Sequence, residues 1–322
     1  MTVGNSYSEL PTAQRKRSVF SFVFWQIVKY FLYMMLGFGL GKAGQLPRET
    51  SAVLSRLLLY LMLPCAIFQS FCQNFTVPYL TEGLSLIALG LLTTGLQVVA
   101  ATVLGRHLPR DTYTQNVCIT ILAVPNTSYV GIPLVLELFG AKTLMQMMLL
   151  TIPLTVYSNT EGYRLLVGRE KMNAQALLNP VTLSMLAGMA FGLLSIPMPG
   201  IVTEVLTGCG NCVSPLAMIL MGSILSAFPI GEIFRGKLAY FIVFLRMIAM
   251  PGVILLGAAA FGLPGEAMRI LTVANTMPTS MNAIIFPASV GKDCRLGAGL
   301  AALSNLAALV TIPLFFYLFC GR

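Results

Sequence analysis

Two stretches decide how this sequence folds: Val124-Pro125-Asn126-Thr127-Ser128-Tyr129-Val130-Gly131-Ile132-Pro133 and Met277-Pro278-Thr279-Ser280-Met281-Asn282-Ala283-Ile284-Ile285-Phe286-Pro287. Each follows a mostly apolar run. A proline inside a helix costs about 3 kcal/mol or more, because it deletes one hydrogen bond and clashes with the preceding turn. The Asn, Thr and Ser side chains beside each proline compete for backbone hydrogen bonds and favour helix caps. Both stretches are therefore predicted to end one helix and begin another.

The composition places these breaks inside a membrane protein. Hydrophobic residues make up 57% of the chain and charged residues 10%, whereas soluble domains carry about 25% charged residues. Apolar runs such as 84–104 and 238–261 match the ~30 Å hydrocarbon core at ~1.5 Å per helical residue. Only helices or closed barrels satisfy the backbone in lipid, and these runs are too long for barrel strands. The expected fold class is an all-α polytopic membrane protein.

The apolar runs predict ten transmembrane helices in two halves. The predicted spans 1 to 5 are 20–40, 52–71, 84–105, 112–139 and 144–167, and spans 6 to 10 are 177–194, 202–228, 238–261, 266–290 and 296–319. The expected organisation is an N-terminal tail at 1–19, a first five-helix repeat at 20–167, a cytoplasmic loop at 168–176 and a second five-helix repeat at 177–322.

The distribution of Lys and Arg predicts the orientation. Twelve lie in or beside alternate loops: Lys42, Arg48, Arg56, Arg106, Arg110, Arg164, Arg169, Lys171, Arg235, Lys237, Lys292 and Arg295. The other loops and the C-terminus hold three, Lys142, Arg269 and Arg322. The first set is expected in the cytoplasm. This places both termini outside, and the cluster Arg15-Lys16-Arg17 contradicts it. The net charge of +9 is attributed to loops facing anionic lipid, and not to nucleic-acid binding.

The two proline stretches also indicate an internal repeat. Pro125 and Pro278 are 153 residues apart, and Pro64 and Pro215, in spans 2 and 7, are 151 apart. Two features at nearly one offset indicate a repeat, and because each half has five spans, the halves must lie in opposite orientations. Spans 4 and 9 are therefore predicted to break and cross, with free N–H groups at the second half-helices facing an anion such as a carboxylate. The alternative is a pair of simple kinks.

The predicted substrate site consists of prolines at the breaks and of polar residues in and near the crossing. These are Pro125, Asn126, Thr127, Ser128, Asn275, Pro278, Thr279, Ser280, Asn282, Asn159 and Asn305. For Asn159 and Asn305, hydrogen bonding between helices is an equal alternative.

Three charged residues inside spans are candidates for coupling or gating: Glu161, Arg246 and Lys29. Glu161 is the candidate proton-binding carboxylate, and a local ion pair with Arg164, three residues away, is its alternative. Arg246 lies mid-span, so an inward partner or a gating role is expected. Lys29 either extends to the outer interface or has a buried partner, and Glu137 is expected near the outer end of span 4.

At these residues the chain resembles the auxin efflux carrier family of bacterial and plant transporters, from about residue 24 to residue 319. The resemblance rests on these segments: Leu36-Gly37 with Gly41, Leu61-Met62-Leu63-Pro64, Pro125-Asn126-Thr127 with Gly131-Ile132-Pro133, Asn179-Pro180, Pro278-Thr279-Ser280, and Ser304 with Thr311-Ile312-Pro313. It implies a homodimer in which spans 1, 2, 6 and 7 form the scaffold and the rest moves, elevator-like, in alternating access. It also implies organic-anion substrates: auxin in plants, malonate- or malate-like dicarboxylates in bacteria. The long cytoplasmic loop of the plant members is absent, which favours a bacterial-type carrier.

The expected function is secondary transport of a small mono- or dicarboxylate across a bacterial inner membrane. Proton and sodium are both possible coupling ions. A bile-acid-type sodium symporter, separable by the sodium dependence of flux, and a non-transporting membrane sensor, which would bind without flux, remain alternatives. We expect no enzyme activity, no cofactor and no metal, because neither HExxH nor another reactive cluster occurs, and the lack of a GxxxxGK[ST] phosphate loop argues against an ATP-driven pump.

Overall fold

The computed structural model describes residues 12–108, 111–168, 178–228 and 236–320, and its regular secondary structure there is helical. The α-helices are α1 Thr12–Lys42, α2 Arg48–Leu57, α3 Leu63–Asn74, α4 Leu80–Arg106, α5 Thr112–Ala123, α6 Ile132–Leu150, α7 Ile152–Tyr157, α8 Tyr163–Val167, α9 Pro180–Leu193, α10 Gly200–Ser226, α11 Lys237–Phe244, α12 Met250–Ala260, α13 Gly265–Thr276, α14 Asn282–Ala288 and α15 Arg295–Phe319. Four π-helical turns lie at Leu58–Met62, Thr127–Gly131, Ser158–Gly162 and Leu245–Ala249.

Seven helical segments of the described residues are long and apolar enough to cross a membrane, which agrees with a multi-pass protein. They are Phe20–Lys42, Thr50–Asn74, Leu80–Arg106, Thr127–Leu150, Gly200–Ser226, Lys237–Ala260 and Arg295–Phe319. Large apolar side chains on their outer faces are exposed, as lipid-facing residues are; Leu91 and Val253 are examples. The all-α prediction is confirmed for the described residues.

Several helix ends differ from the prediction. Helix α1 begins at Thr12, inside the predicted tail, and α9 is a shorter apolar helix than predicted span 6. Gly140 has φ 79° and ψ −175° inside α6, a left-handed backbone that glycine adopts without strain. It therefore divides α6 into two helical pieces close to the predicted border of spans 4 and 5. Residues 1–11 of the predicted tail and 169–176 of the predicted loop lie outside the described residues.

The π-helical turns have a local cause. Three of them, Leu58–Met62, Thr127–Gly131 and Leu245–Ala249, end two residues before a proline: Pro64, Pro133 and Pro251. Proline lacks an N–H and its ring clashes with the carbonyl four residues earlier. Widening the preceding turn relieves that clash, and such π-bulges are frequent at functional sites.

The helix that leads to the first break has defined ends. Asp111 caps α5, because its carboxylate accepts a hydrogen bond from the Thr114 N–H at 2.9 Å. This bond and one from the Thr114 hydroxyl lower the pKa of Asp111 below its usual range. The helix ends at Ala123, and Val124 is extended (φ −114°, ψ 108°), as expected for a residue before proline.

Close helix packing surrounds the crossing. Helix α1 packs along α10, and α3 packs along α9. At the first contact, a Cβ on Gly37 would lie 2.1 Å from the carbonyl oxygen of Ile219, and one on Gly222 would lie 1.9 Å from that of Met34. The two backbones therefore approach closely, as small residues permit in membrane helices. Gly39 has no atom within 4 Å of such a position.

Candidate functional site

The two interrupted segments meet at their breaks. The backbone N–H of Asn126 donates to the carbonyl oxygen of Pro278 at 2.8 Å, and Pro125 and Thr279 form an isolated antiparallel bridge. Met277, like Val124, is extended (φ −65°, ψ 149°). Non-helical backbone at membrane depth must be satisfied within the protein, and each break supplies part of what the other lacks. The predicted juxtaposition of the two breaks is thus present.

Asn126 caps the helical segment that follows the first break. Its Oδ1 accepts from the Tyr129 N–H at 3.1 Å, and its carbonyl oxygen accepts from the Gly131 N–H at 3.1 Å. The residue is 2% exposed, and its Nδ2 has no hydrogen-bond partner among the described residues. Because Oδ1 must face Tyr129, the unpaired atom is a donor. A buried donor without a partner is costly, so this position suits an acceptor from a ligand.

Several backbone amides at the breaks are occupied, which corrects the expectation that they are free. The N–H groups of Thr127 and Thr279 donate to Pro125 O at 3.0 Å and to Ser304 Oγ at 3.1 Å. That of Asn282 donates to Ser280 Oγ at 3.2 Å. The Asn and Ser side chains that favour breaking the helix also cap it, and so they consume the donors that the break releases.

The second break is anchored to α15. Thr279 is fully buried, and its hydroxyl lies 3.0 Å from the hydroxyl of Ser304, which also accepts the Thr279 N–H. Ser304 in turn donates to Ala301 O at 3.0 Å. This chain of bonds fixes Thr279 and Pro278, and through Pro278 it fixes the position of Asn126.

A polar cavity lies against the crossing. Its empty volume, including the part open to solvent, is about 380 Å³. It is lined by Val124, Pro125, Asn126, Thr127, Ser128, Tyr129, Leu154, Thr155, Ser158, Asn159, Ser280 and Asn282. Asn282 Nδ2 donates to Ser158 Oγ at 2.9 Å, and Asn159 Nδ2 donates to Thr155 O at 2.9 Å. Among the described residues the lining contains amides and hydroxyls but no carboxylate, so it offers donors to an anion.

Seven of the eleven predicted substrate residues line this cavity, and four do not. Pro278 and Thr279 instead contact the first break through their main chains. Asn275 is bonded elsewhere, because its Oδ1 accepts from Gln97 Nε2 and its Nδ2 donates to Leu271 O. Asn305 donates to Ala301 O at 2.8 Å and lines a separate apolar cavity between α1, α10 and α15.

Arg246 lies beside the second break. It is fully buried, and its NH2 donates to Asn275 O at 3.1 Å and to Met277 O at 3.2 Å. These carbonyls end α13, where the helix dipole is negative. The expected inward partner is therefore backbone and not a carboxylate. Nε and NH1 have no hydrogen-bond partner among the described residues. Among the buried residues that the structure describes, Arg246 is the charged one.

The other two coupling candidates form ion pairs. Glu161 accepts two bonds from Arg164, at 2.8 Å and 2.5 Å, on an exposed face. This is the local pair that was its alternative, and Glu161 is away from the cavity lining. Lys29 donates to Glu137 Oε2 at 2.5 Å. It thus has a protein partner and does not extend alone to the interface.

Sequence reasoning missed three residues at the site, Ser158, Tyr129 and Ser304, and a fourth, Gln97, that keeps Asn275 out of it. Ser158 and Tyr129 line the cavity, Ser304 holds Thr279, and Gln97 holds Asn275. Each is a polar residue in an apolar run, which is a usable signal. That signal does not say which partner each residue meets, since the partners are 25 or more residues away in sequence for Ser304, Gln97 and Ser158.

Comparison with known proteins identifies a family and several relatives. The chain matches the profile of a family described as "Membrane transport protein" over residues 22–175 and 164–316. Three curated relatives, each named "Uncharacterized transporter YfdV", are 22% identical to it over 310 residues. The alignment covers 92% of this chain and 98% of each relative, from Escherichia coli strain K12, E. coli O157:H7 and Shigella flexneri. These names describe transporters and give no substrate.

Proposed function

Since this chain belongs to the membrane transport protein family, the auxin efflux carrier family that its motifs resemble, we propose that it is a secondary transporter of a small organic anion. The substrate class is a mono- or dicarboxylate of malonate or malate size. Pro125, Asn126, Thr127, Ser128, Ser280, Asn282 and Asn159 form its site, supported by Pro278 and Thr279 through their main-chain contacts with the first break.

The sign of the buried charge supports an anion. Arg246 is fully buried, and its described partners are two backbone carbonyls next to the break. A buried charge without a counter-charge is strongly unfavourable, so a protein that keeps one at its crossing gains most from binding the opposite charge there. This single observation favours an anion over a cation or a neutral solute.

The unpaired amide of Asn126 supports the position of the anion. Nδ2 is a buried donor with no described partner, and Asn126 lines the polar cavity. A carboxylate oxygen at this position satisfies the donor, and the hydroxyls of Ser128 and Ser280 lie on the same lining. Hydrogen bonds to a charged acceptor are stronger than those between neutral groups.

We further propose the transport cycle and the topology. Two family matches of similar length, the two interrupted segments that meet, and the offsets of 153 and 151 residues between proline pairs support an inverted repeat of ten spans. Alternating access then moves the crossing segments against the packed pairs α1–α10 and α3–α9. By the family resemblance, these pairs dimerise as a scaffold and the movement is elevator-like. The bacterial relatives support the inner membrane as the location.

A binding assay followed by flux tests this function. Purified protein is heated with malonate, malate, monocarboxylates and the neutral diamide of malonate, and its midpoint of thermal unfolding is recorded. We expect the carboxylates to raise the midpoint through preferential binding to the native state, and the diamide to leave it unchanged. Compounds that bind are then assayed for flux in proteoliposomes with and without sodium and a pH gradient. Binding without flux indicates a sensor, and equal binding of the diamide refutes the anion site.

A further inference from the structure

A second polar cluster lies outside the proposed substrate site, where α1, α6 and α10 approach one another. Lys29 of α1 donates to Glu137 Oε2 of α6 at 2.5 Å. Tyr30 of α1 is 3% exposed and lies beside three residues: Gln26 of α1, Glu137 of α6 and Ser214 of α10. The side-chain atoms Gln26 Nε2, Tyr30 Oη and Ser214 Oγ make no hydrogen bond of good geometry with described residues. The cluster thus places one ion pair beside three buried polar atoms whose hydrogen bonds are incomplete, and incompletely satisfied buried networks are costly.

The ion pair joins two parts of the fold that pack little against each other. Helix α1 packs on α10 and α15, and α6 packs on α3, α4 and α13. An apolar cavity lies next to the pair, between Ile27, Tyr30 and Met34 of α1 and Val130, Met218 and Ile312 opposite, with an empty volume of about 320 Å³ including its open part. Lys29 and Glu137 therefore connect α1 to the half-helix that begins at the crossing, across a poorly filled interface.

Glu137 is not enclosed by the described residues. Its side chain is 29% exposed and that of Lys29 is 41% exposed. Glu137 is five residues beyond Ile132, or about 8 Å along the half-helix from the end of the break. Neither Glu137 nor Lys29 lines the polar cavity at the crossing, so a proton that binds Glu137 does not occupy the substrate site.

We propose that Glu137 is the proton-binding site that couples this protein to a proton gradient, an inference that rests on the proposed anion transport. A proton from the outer solution adds to the Glu137 carboxylate and gives a neutral acid, while Lys29 keeps its charge. The ionic attraction between α1 and the half-helix is lost. Lys29 is left as a cation beside the interface, and its cost falls when an anion enters the protein. Protonation therefore releases the crossing segment and favours anion loading, which gives symport of proton and anion.

The surroundings of Glu137 favour a proton over sodium. On α1 the facing groups are Lys29 and Tyr30, and the Ser214 hydroxyl of α10 lies beside Tyr30. On α13, Arg269 lies over the Phe139 ring at 5.4 Å, and Glu266 pairs with Lys142 of α6 at 3.5 Å. In the described chain, α3 and α4 bring no ion pair to α6. A sodium ion at Glu137 would meet the ammonium of Lys29, and like charges at contact repel.

The test combines a transport assay with a reporter that needs no substrate. The probe is radiolabelled malonate in proteoliposomes. In the wild type we expect both malonate exchange at equal pH and accumulation driven by an inward proton gradient. For Glu137→Gln we expect exchange within about twofold of wild type and gradient-driven accumulation reduced at least about tenfold. Glu137→Asp should retain coupling, and Glu204→Gln, an exposed carboxylate on α10, is the matched control that should retain both activities.

The single tryptophan provides the reporter. Trp25 is the one Trp of the chain and lies one turn before Lys29 on the same face of α1. Its fluorescence should change with pH in the wild type and in Glu204→Gln, and should be independent of pH in Glu137→Gln. If malonate exchange fails but this pH transition is present, the proposed substrate is wrong and the protonation site stands. If the pH profiles of wild type and Glu137→Gln coincide, or if accumulation follows sodium and not the proton gradient, the inference is refuted.

Discussion

The backbone N–H of Asn126 donates to the carbonyl oxygen of Pro278 at 2.8 Å, so the two broken segments of this protein are held together by their main chains. These two residues are 152 positions apart in sequence, and their hydrogen bond belongs to the isolated antiparallel bridge between the two breaks. A substitution of the Asn126 side chain removes neither atom of this bond, because both belong to the main chain. The side chain at position 126 can therefore be changed while both groups of this main-chain bond are kept.

Asn126 allows capping and ligand binding to be separated. Asn126→Asp keeps an oxygen for the Tyr129 N–H and is an equally good helix cap, but it replaces the free donor with a negative charge. Asn126→Ala removes the cap and the donor, and costs about 1 kcal/mol of stability. Because like charges in contact cost several kcal/mol, we expect Asn126→Asp to weaken malonate binding at least about 100-fold, more than Asn126→Ala does.

Isothermal titration with malonate, together with thermal unfolding of both variants, measures this difference. Equal malonate affinity for the Asp variant and the wild type would show that Nδ2 of Asn126 does not contact the anion.

Thr279 and Ser304 predict a ranking of stabilities. Thr279→Val deletes one hydroxyl and leaves Ser304 with its bonds to the Thr279 N–H and Ala301 O, so a loss of about 1 kcal/mol is expected. Ser304→Ala leaves both the Thr279 N–H and its hydroxyl unpaired in a fully buried position, at about 1–3 kcal/mol for each group. Thermal unfolding in one detergent should place Ser304→Ala clearly below Thr279→Val, and the reverse order would argue against this network.

Arg246 predicts opposite effects on stability and on transport. Arg246→Met removes a fully buried charge, and replacing buried charges by apolar side chains is often neutral or stabilising by about 1–4 kcal/mol. The two carbonyl bonds that are lost offset part of this gain. We expect an unchanged or higher unfolding midpoint and loss of malonate uptake, with partial uptake in Arg246→Lys. An Arg246→Met variant that unfolds early would indicate a structural role, and one that transports normally would remove Arg246 from anion binding.

Gly37 and Gly39 offer a matched pair for the packing of α1. A Cβ at Gly37 would lie 2.1 Å from Ile219 O, whereas one at Gly39 meets nothing within 4 Å. Gly37→Ala should separate α1 from α10 and destabilise the protein by about 1–3 kcal/mol, the usual cost of overpacking. Gly39→Ala should be neutral or slightly stabilising, because alanine is the better helix former by about 1 kcal/mol. The unfolding midpoints of the two variants in detergent test this, and equal midpoints would mean that α1 and α10 do not pack this closely.

Features set by local chemistry were predictable from the sequence. The membrane class follows from composition, and the breaks follow from Pro125 and Pro278 with their polar neighbours, because proline restricts its own backbone and that of the preceding residue. The ion pair of Glu161 with Arg164 was also predictable, because the partners are three residues apart on one helix face. Gly140, which divides α6, lies within an apolar run and gave no comparable signal.

The interaction partners depend on the folded chain. Sequence alone determined where this protein interrupts its helices and that it is built for a membrane, because backbone sterics and hydrophobic burial act on short segments. Only the tertiary structure decided that the released amides are capped, that the Asn126 amide stays free, that Arg246 meets two carbonyls, and that Lys29 pairs with Glu137 across 108 residues. Which donors remain unpaired depends on every group that packing brings within hydrogen-bond distance, and residues far apart in sequence supply most of them.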